Sequence, residues 1–128
     1  MINIFAVTGA ALLFIAAVFE VLLIIGLPLG EFTMGGQYKV LPPFMRAGAV
    51  FSLATQIFAG LILLQGAGLM NMWFSSGVTK IICFVFAGFF VLNTGMNLIS
   101  KSKKEKYVMT PLALIEAVCF LMTALLMK

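Results

Sequence analysis

The chain has 128 residues, of which 63% are hydrophobic and 9% are charged, and it contains no histidine. A soluble domain is nearer half apolar and a quarter charged, so this composition excludes an ordinary soluble protein and favours one compact domain with lipid as its solvent. The lack of histidine removes the commonest metal ligand and the commonest general base near neutral pH.

The first apolar stretch predicts a membrane helix over about residues 4–29, because this length crosses a hydrocarbon core of about 30 Å. The stretch lacks the basic leading segment of a signal peptide and contains Glu20. Gly35-Gly36 and Pro42-Pro43 then predict a break, since glycine permits positive φ and proline stops one helix and opens the next. A second helix is predicted over about residues 43–65.

A third helix is predicted over about residues 77–100 and a fourth over about residues 110–127. Thr110-Pro111 is typical of an N-cap followed by proline at the first helical position, which leaves the fourth helix at the short end of what spans a bilayer. The expected fold is all-α, an integral membrane four-transmembrane-helix bundle in a single domain of residues 1–128. We expect close approach of the helices at four glycines, Gly9, Gly60, Gly88 and Gly95.

Basic residues are distributed unevenly between the two sides of such a bundle. The side with the first and third loops carries Lys39, Arg46, Lys101, Lys103, Lys104 and Lys106. The other side carries Lys80, Lys128 and the N-terminal amine. The positive-inside rule therefore places the first and third loops in the cytoplasm and both termini on the outer side of the plasma membrane. No aromatic platform accompanies the lysine cluster, so it predicts no nucleic-acid partner, although it can contact anionic lipid.

Polar side chains inside the predicted helices concentrate in the cytoplasmic half. Helix lengths place Glu20 about 15 Å and Glu116 about 8 Å from the cytoplasmic ends of their helices. A carboxylate inside lipid costs roughly 3 kcal/mol, so such residues usually face the bundle interior, pair with another group or stay protonated. Arg46 is the expected counter-charge for Glu116, Glu20 or Glu31. The candidate residues for binding a ligand or a proton are Glu20, Glu116, Arg46, Asn93, Asn97, Thr55 and Gln56.

Three roles for these polar groups stay open. They fix the packing by hydrogen-bonding helix to helix, they line a cytoplasm-facing pocket for a small solute, cation or proton, or they form a face that docks a partner membrane protein. Cys83 and Cys119 lack CxxC spacing and are expected to pack as buried thiols, with a disulfide as the alternative. We expect no metal site and no cofactor, and no nucleophile–base pair favours an enzyme.

Two stretches, LPLGEFTMGGQYKVLPPFMR and NTGMNLISKSKKEKYVMTPLAL, resemble those of uncharacterised small four-helix bacterial membrane proteins. This resemblance implies the architecture and no activity. Glu20, within AAVFEVLL, also resembles the first-helix glutamate with which small multidrug resistance transporters exchange protons for a cationic substrate in a dimer. Glu116, the long first loop and the one-sided loop charge depart from that family's pattern.

The leading functional hypothesis is a membrane protein that binds or transports a small solute or cation through a cytoplasm-facing polar pocket, as a homo-oligomer. The alternative is an accessory or immunity-type subunit that packs against another membrane protein.

Overall fold

The computed structural model describes residues 1–32, 36 and 38–127, apart from the side chain of Glu31. It contains four helices that are long and apolar enough to cross a membrane and, within the residues described, no strand. The helices are α1 (Ile2–Ile24), α2 (Pro43–Gly66), α3 (Ser76–Leu98) and α4 (Thr110–Leu126). The prediction of an all-α chain with four long apolar helices is confirmed.

The first helix ends five residues earlier than predicted. Ile25 is its C-cap, and Gly26 follows with a φ of 99°. The amide of Gly26 donates to the carbonyl of Leu23, and the amide of Leu27 donates to that of Leu22. This pair of hydrogen bonds is a Schellman motif, which uses glycine because it adopts positive φ without steric cost.

The fourth membrane-spanning segment begins earlier than predicted. A π-helical turn, Glu105–Met109, runs directly into α4, so the continuous span is Glu105–Leu126, with 22 residues. Thr110 lies within this helix at φ −62° and ψ −52° and is not its N-cap. Pro111 lacks an amide hydrogen, and the loss of that bond accounts for a π turn just before it. The start is capped by Ser102, whose Oγ accepts from the Glu105 amide at 3.3 Å.

Neighbouring helices in the chain are antiparallel. α1 packs most closely on α2 and α3 on α4, and the contact between α1 and α4 joins these two pairs. A Cβ on Gly60 would lie 2.8 Å from the Phe14 ring, and a Cβ on Gly9 would lie 2.7 Å from Leu63 and 2.9 Å from Cys119. Close approach at Gly9 and Gly60 is therefore confirmed.

The third helix is the least covered of the four. Nothing lies within 4 Å of a Cβ built on Gly88 or Gly95, so the prediction of close packing at these glycines is wrong for the single chain. In the most apolar 18-residue stretch of α3, 11% of the stretch is buried inside the protein, against 44% in the corresponding stretch of the fourth membrane-spanning segment. One face of α3 is therefore open to whatever surrounds the protein.

The bundle has a basic end, the lysine end, and an opposite end, the terminal end, where Met1 lies. The lysine end comprises residues 25–46 and 97–109, and the terminal end comprises Met1 and residues 65–79 and 123–127. At the lysine end, Leu41 from the first connection packs with Leu23 and Ala49 in a small second core. The main core lies between the four helices and includes Ile62, Leu63 and Phe120, each with 0% exposure.

Candidate functional site

Glu116 lies in the middle of the fourth span and not near its end. It follows Glu105 by eleven residues, or about 16 Å of helix rise. Its side chain is 4% exposed, and neither carboxyl oxygen has a hydrogen-bond partner among the described residues. The surrounding turns of α4 contribute Ala113 and Phe120 to the apolar core. A buried carboxyl group thus lies on a helix face whose neighbouring turns belong to the apolar core.

The position of Glu116 follows from how three helices meet. One turn further along α4, Cys119 touches α1 at Gly9, where Leu63 of α2 also lies. Because the glycine allows this close approach, α4 turns one face inward. Most of its buried residues recur at three- and four-residue spacing, and the full set is Ala113, Glu116, Ala117, Cys119, Phe120, Thr123 and Ala124. The sequence pattern marks this face as the core face, and Glu116 lies on it.

Glu20 is closer to a helix end than predicted. Since α1 ends at Ile24, Glu20 lies one turn, about 6 Å, from that end. Its Oε1 accepts a hydrogen bond from Nε2 of Gln56 at 3.4 Å, which joins α1 to α2. Glu116 is therefore farther from the lysine end of its helix than Glu20 is, the reverse of the prediction. The reason is that α1 is shorter than predicted and the fourth membrane-spanning segment is longer.

Among the described residues, Arg46 forms no hydrogen bond with either embedded glutamate. Its Nε donates to the carbonyl of Leu41 at 2.8 Å. Its guanidinium lies against Gly26, with Nη2 3.1 Å from where a Cβ would be. Neither Glu116 oxygen has a partner, and the hydrogen bond that Glu20 accepts comes from Gln56. The expected ion pair of Arg46 with Glu116 or Glu20 is thus wrong, and its expected pairing with Glu31 lies outside the described side chains.

Arg46 instead links the end of α1 to the start of α2. A guanidinium beside the last turn of a helix interacts favourably with the partial negative charge of that helix end. This arrangement is structural, and it leaves Glu116 without a counter-charge among the described residues.

None of the remaining candidate residues is hydrogen-bonded to Glu116 in the described part of the chain. Asn97 donates through Nδ2 to the carbonyl of Met109 at 3.5 Å and so links α3 to the π turn. Asn93 lies one turn earlier and is half-buried. The Thr55 hydroxyl donates to the carbonyl of Phe51 in its own helix. Among the candidates, the hydrogen bonds given for the described residues join one pair, Glu20 and Gln56.

Three further polar side chains, at the terminal end, are more completely buried than most of the predicted candidates. Gln65, Thr79 and Thr123 are each 0% exposed. Gln65 accepts from the Trp73 amide through Oε1 at 3.0 Å. Its Nε2 and both threonine hydroxyls have no partner among the described residues. A Cβ on Gly66 would lie 3.1 Å from Thr123 and 3.8 Å from Cys83, so α2, α3 and α4 converge here.

A groove of about 300 Å³ lies between α3 and α4. We call it the α3–α4 groove, and its lining is Phe84, Ala87, Gly88, Val91, Leu114, Ala117, Val118 and Leu121. All of these residues are apolar, and none of the predicted candidates is among them.

Among the described residues, the buried thiols and the acidic groups do not form a metal centre. In the part of the chain that the structure describes, no three His, Cys, Asp or Glu side chains are grouped so that they could hold a metal ion. Cys83 and Cys119 are both buried and free, which confirms their expected packing as thiols. Comparison of the chain with protein-family models, with curated proteins and with solved structures finds no match.

Proposed function

We propose that this chain is a multi-pass protein of the plasma membrane that binds or moves a small solute or cation, and that Glu116 is the binding group. The supporting observation is the buried carboxyl group of Glu116, whose two oxygens lack partners among the described residues. Leaving a buried polar group unpaired costs about 1–3 kcal/mol, and more for a charged group. A bound proton, a bound cation or a hydrogen-bonding solute would offset that cost.

The proposed orientation rests on the lysine end. Six basic residues lie in or beside it, Lys39, Arg46, Lys101, Lys103, Lys104 and Lys106. This charge bias favours a cytoplasmic location for the lysine end and an outer location for both termini.

The proposal includes a homo-oligomer. Apolar side chains such as Ile62, Leu63 and Phe120 fill the core of one copy. A hydrated path to Glu116 through a single copy would have to displace them, so movement of a solute larger than a proton needs an interface between copies that opens to Glu116.

The test is transport by the purified protein in proteoliposomes. We would record charge movement on a solid-supported membrane, with a pH-sensitive dye in the lumen so that electroneutral exchange is also detected. The panel would contain metal cations, amines and small metabolites under a pH gradient. We expect a solute- or proton-dependent signal in the wild type that Glu116→Gln abolishes, because the amide neither ionises nor accepts a proton at this site.

Glu20→Gln is the matched control, because Glu20 is also an embedded glutamate but already accepts a hydrogen bond from Gln56. We expect this variant to keep most of the signal. Equal loss in both variants would contradict the special role of Glu116. A folded, uniformly oriented sample without either signal would contradict transport.

The alternative function, an accessory or immunity-type subunit, is favoured by the open face of α3. Val85, Leu92 and Met96 are 65%, 70% and 66% exposed along the side of α3 that faces away from the bundle. In this alternative, these side chains pack against another membrane protein. Flux would then be absent, and crosslinks from this ridge would join a co-purified membrane protein.

A further inference from the structure

The α3–α4 groove lies on a stripe of α3 that runs toward the basic connection between the two walls of the groove. On α3, the groove residues Phe84, Gly88 and Val91 follow helical spacing, and the same spacing continues through Gly95 and Leu98. Nothing lies within 4 Å of a Cβ built on Gly88 or Gly95. The stripe therefore continues toward the lysine end, and at Gly88 and Gly95 no side chain of this protein covers it.

The opposite wall leads to the same place. On α4, Leu121, Val118 and Leu114 line the groove. Two turns before Leu114 lies Tyr107, which is 67% exposed and has the Lys106 ammonium over its ring at 5.9 Å. A tyrosine with one apolar and one polar end suits the boundary between hydrocarbon and headgroups.

The connection that joins the two walls carries exposed positive charge. Lys101 and Lys103 are both exposed and lie between Leu98 and the π turn. Lysines at the membrane surface attract anionic headgroups and strengthen their binding. An apolar groove that ends beneath a basic turn matches an amphiphile with an acidic head and an acyl chain.

We propose that the α3–α4 groove binds one anionic phospholipid, with an acyl chain lying over Gly88 and the headgroup phosphate contacting Lys101 and Lys103. Charge complementarity favours this occupant over a second copy of the chain. A parallel dimer across this groove would bring two lysine-rich turns together, and like charges repel. The proposal goes beyond solute binding at Glu116 and is independent of it.

The test is native mass spectrometry of the purified protein in detergent with equal amounts of phosphatidylglycerol and phosphatidylcholine of distinct mass. We expect one retained phosphatidylglycerol in preference to phosphatidylcholine. Gly88→Leu fills the groove and should remove this adduct. Gly48→Leu is the matched control, because Gly48 is also a helical glycine with nothing within 4 Å of its Cβ position, and the adduct should persist.

The headgroup contact is tested separately. The double variant Lys101→Gln, Lys103→Gln should reduce the preference for phosphatidylglycerol by roughly thirtyfold, since two surface lysines each contribute to anionic lipid binding. Lys39→Gln is the control, because Lys39 is an exposed lysine of the other connection at this end. The Lys39→Gln variant should prefer phosphatidylglycerol as strongly as the wild type does.

Three results would overturn the proposal. These are equal retention of the two lipids, an adduct that survives Gly88→Leu, or a dimer without lipid that Gly88→Leu dissociates, which would assign the groove to a second copy. If Gly88→Leu fails to fold by circular dichroism, Val118→Trp fills the same groove from α4 and gives the same comparison.

Discussion

At the lysine end, Arg46 and Asn97 bond to neighbouring segments, whereas at the terminal end three polar side chains with 0% exposure keep unpaired atoms. Arg46 donates to Leu41, and Asn97 donates to Met109, so each connects two separate segments. Gln65, Thr79 and Thr123 are enclosed at the other end, and the Gln65 Nε2 and both hydroxyls lack partners among the described residues.

The comparison of the two ends shows that the end with more polar residues is not the end where polar residues are most deeply buried. The lysine end has more polar and charged residues, but they stabilise the connections and the helix ends. A buried polar group is costly when it lacks a partner, so the few polar groups at the terminal end and Glu116 are the more informative ones. Function is better sought by burial and unmet hydrogen-bonding capacity than by the density of polar residues.

The largest effect on stability is expected from Arg46→Met. Methionine keeps an apolar stem but loses the hydrogen bond to Leu41 and the charge beside the last turn of α1. Hydrogen bonds to charged groups contribute about 1.5–3 kcal/mol, and charges at helix ends about 0.3–1 kcal/mol. We therefore expect destabilisation by about 2 kcal/mol in a denaturation titration in mixed micelles. Lys39→Met, at an exposed lysine of the same end, should have little effect. Equal stability of the two variants would show that Arg46 does not hold this end together.

An intermediate effect is expected from Gln65→Leu at the terminal end. Leucine removes the unpaired Nε2, which favours stability, but it also leaves the Trp73 amide without its acceptor. The net loss should be about 1 kcal/mol. Trp73 is the only tryptophan, so its fluorescence should report a change in this loop. Gln56→Leu is the comparison, because its 3.4 Å bond to Glu20 is long and its loss should cost less. A larger loss of stability in Gln56→Leu would contradict the expectation and would mean that the hydrogen bond from Gln56 to Glu20 contributes more than the bond from the Trp73 amide to Gln65.

Much of the fold was predictable because the apolar runs match the thickness of a hydrocarbon core. The errors lie at helix ends. Gly26 ends α1, and the spacing of Ser102 and Glu105 is an N-terminal capping signature that precedes the fourth apolar run. Both features are visible in the sequence, and both change the depth of a glutamate.

The partners of each side chain were not predictable, because they depend on how each helix is rotated about its axis. Gly60 and Gly88 are alike in sequence, yet a Cβ on Gly60 would meet Phe14 and a Cβ on Gly88 would meet nothing within 4 Å. The interaction of Arg46 with the end of α1 also depends on the course of the first connection. Packing decides these contacts after the helices have formed.

The smallest and most discriminating effect is expected from Thr79→Val and Thr123→Val. Valine has nearly the shape of threonine and removes only the hydroxyl, which in both residues is buried and without a partner among the described residues. Removing an unpaired buried hydroxyl should be neutral or should stabilise the protein by up to about 1 kcal/mol. Thr94→Val is the control, because its hydroxyl donates to Phe90 at 2.7 Å and its loss should be mildly destabilising. Loss of more than about 1 kcal/mol in either terminal-end variant would mean that its hydroxyl is hydrogen-bonded in the membrane, for example through bound water. The terminal end would then resemble the lysine end, and Glu116, with both carboxyl oxygens unpaired among the described residues, would be the buried side chain with the largest unmet hydrogen-bonding capacity.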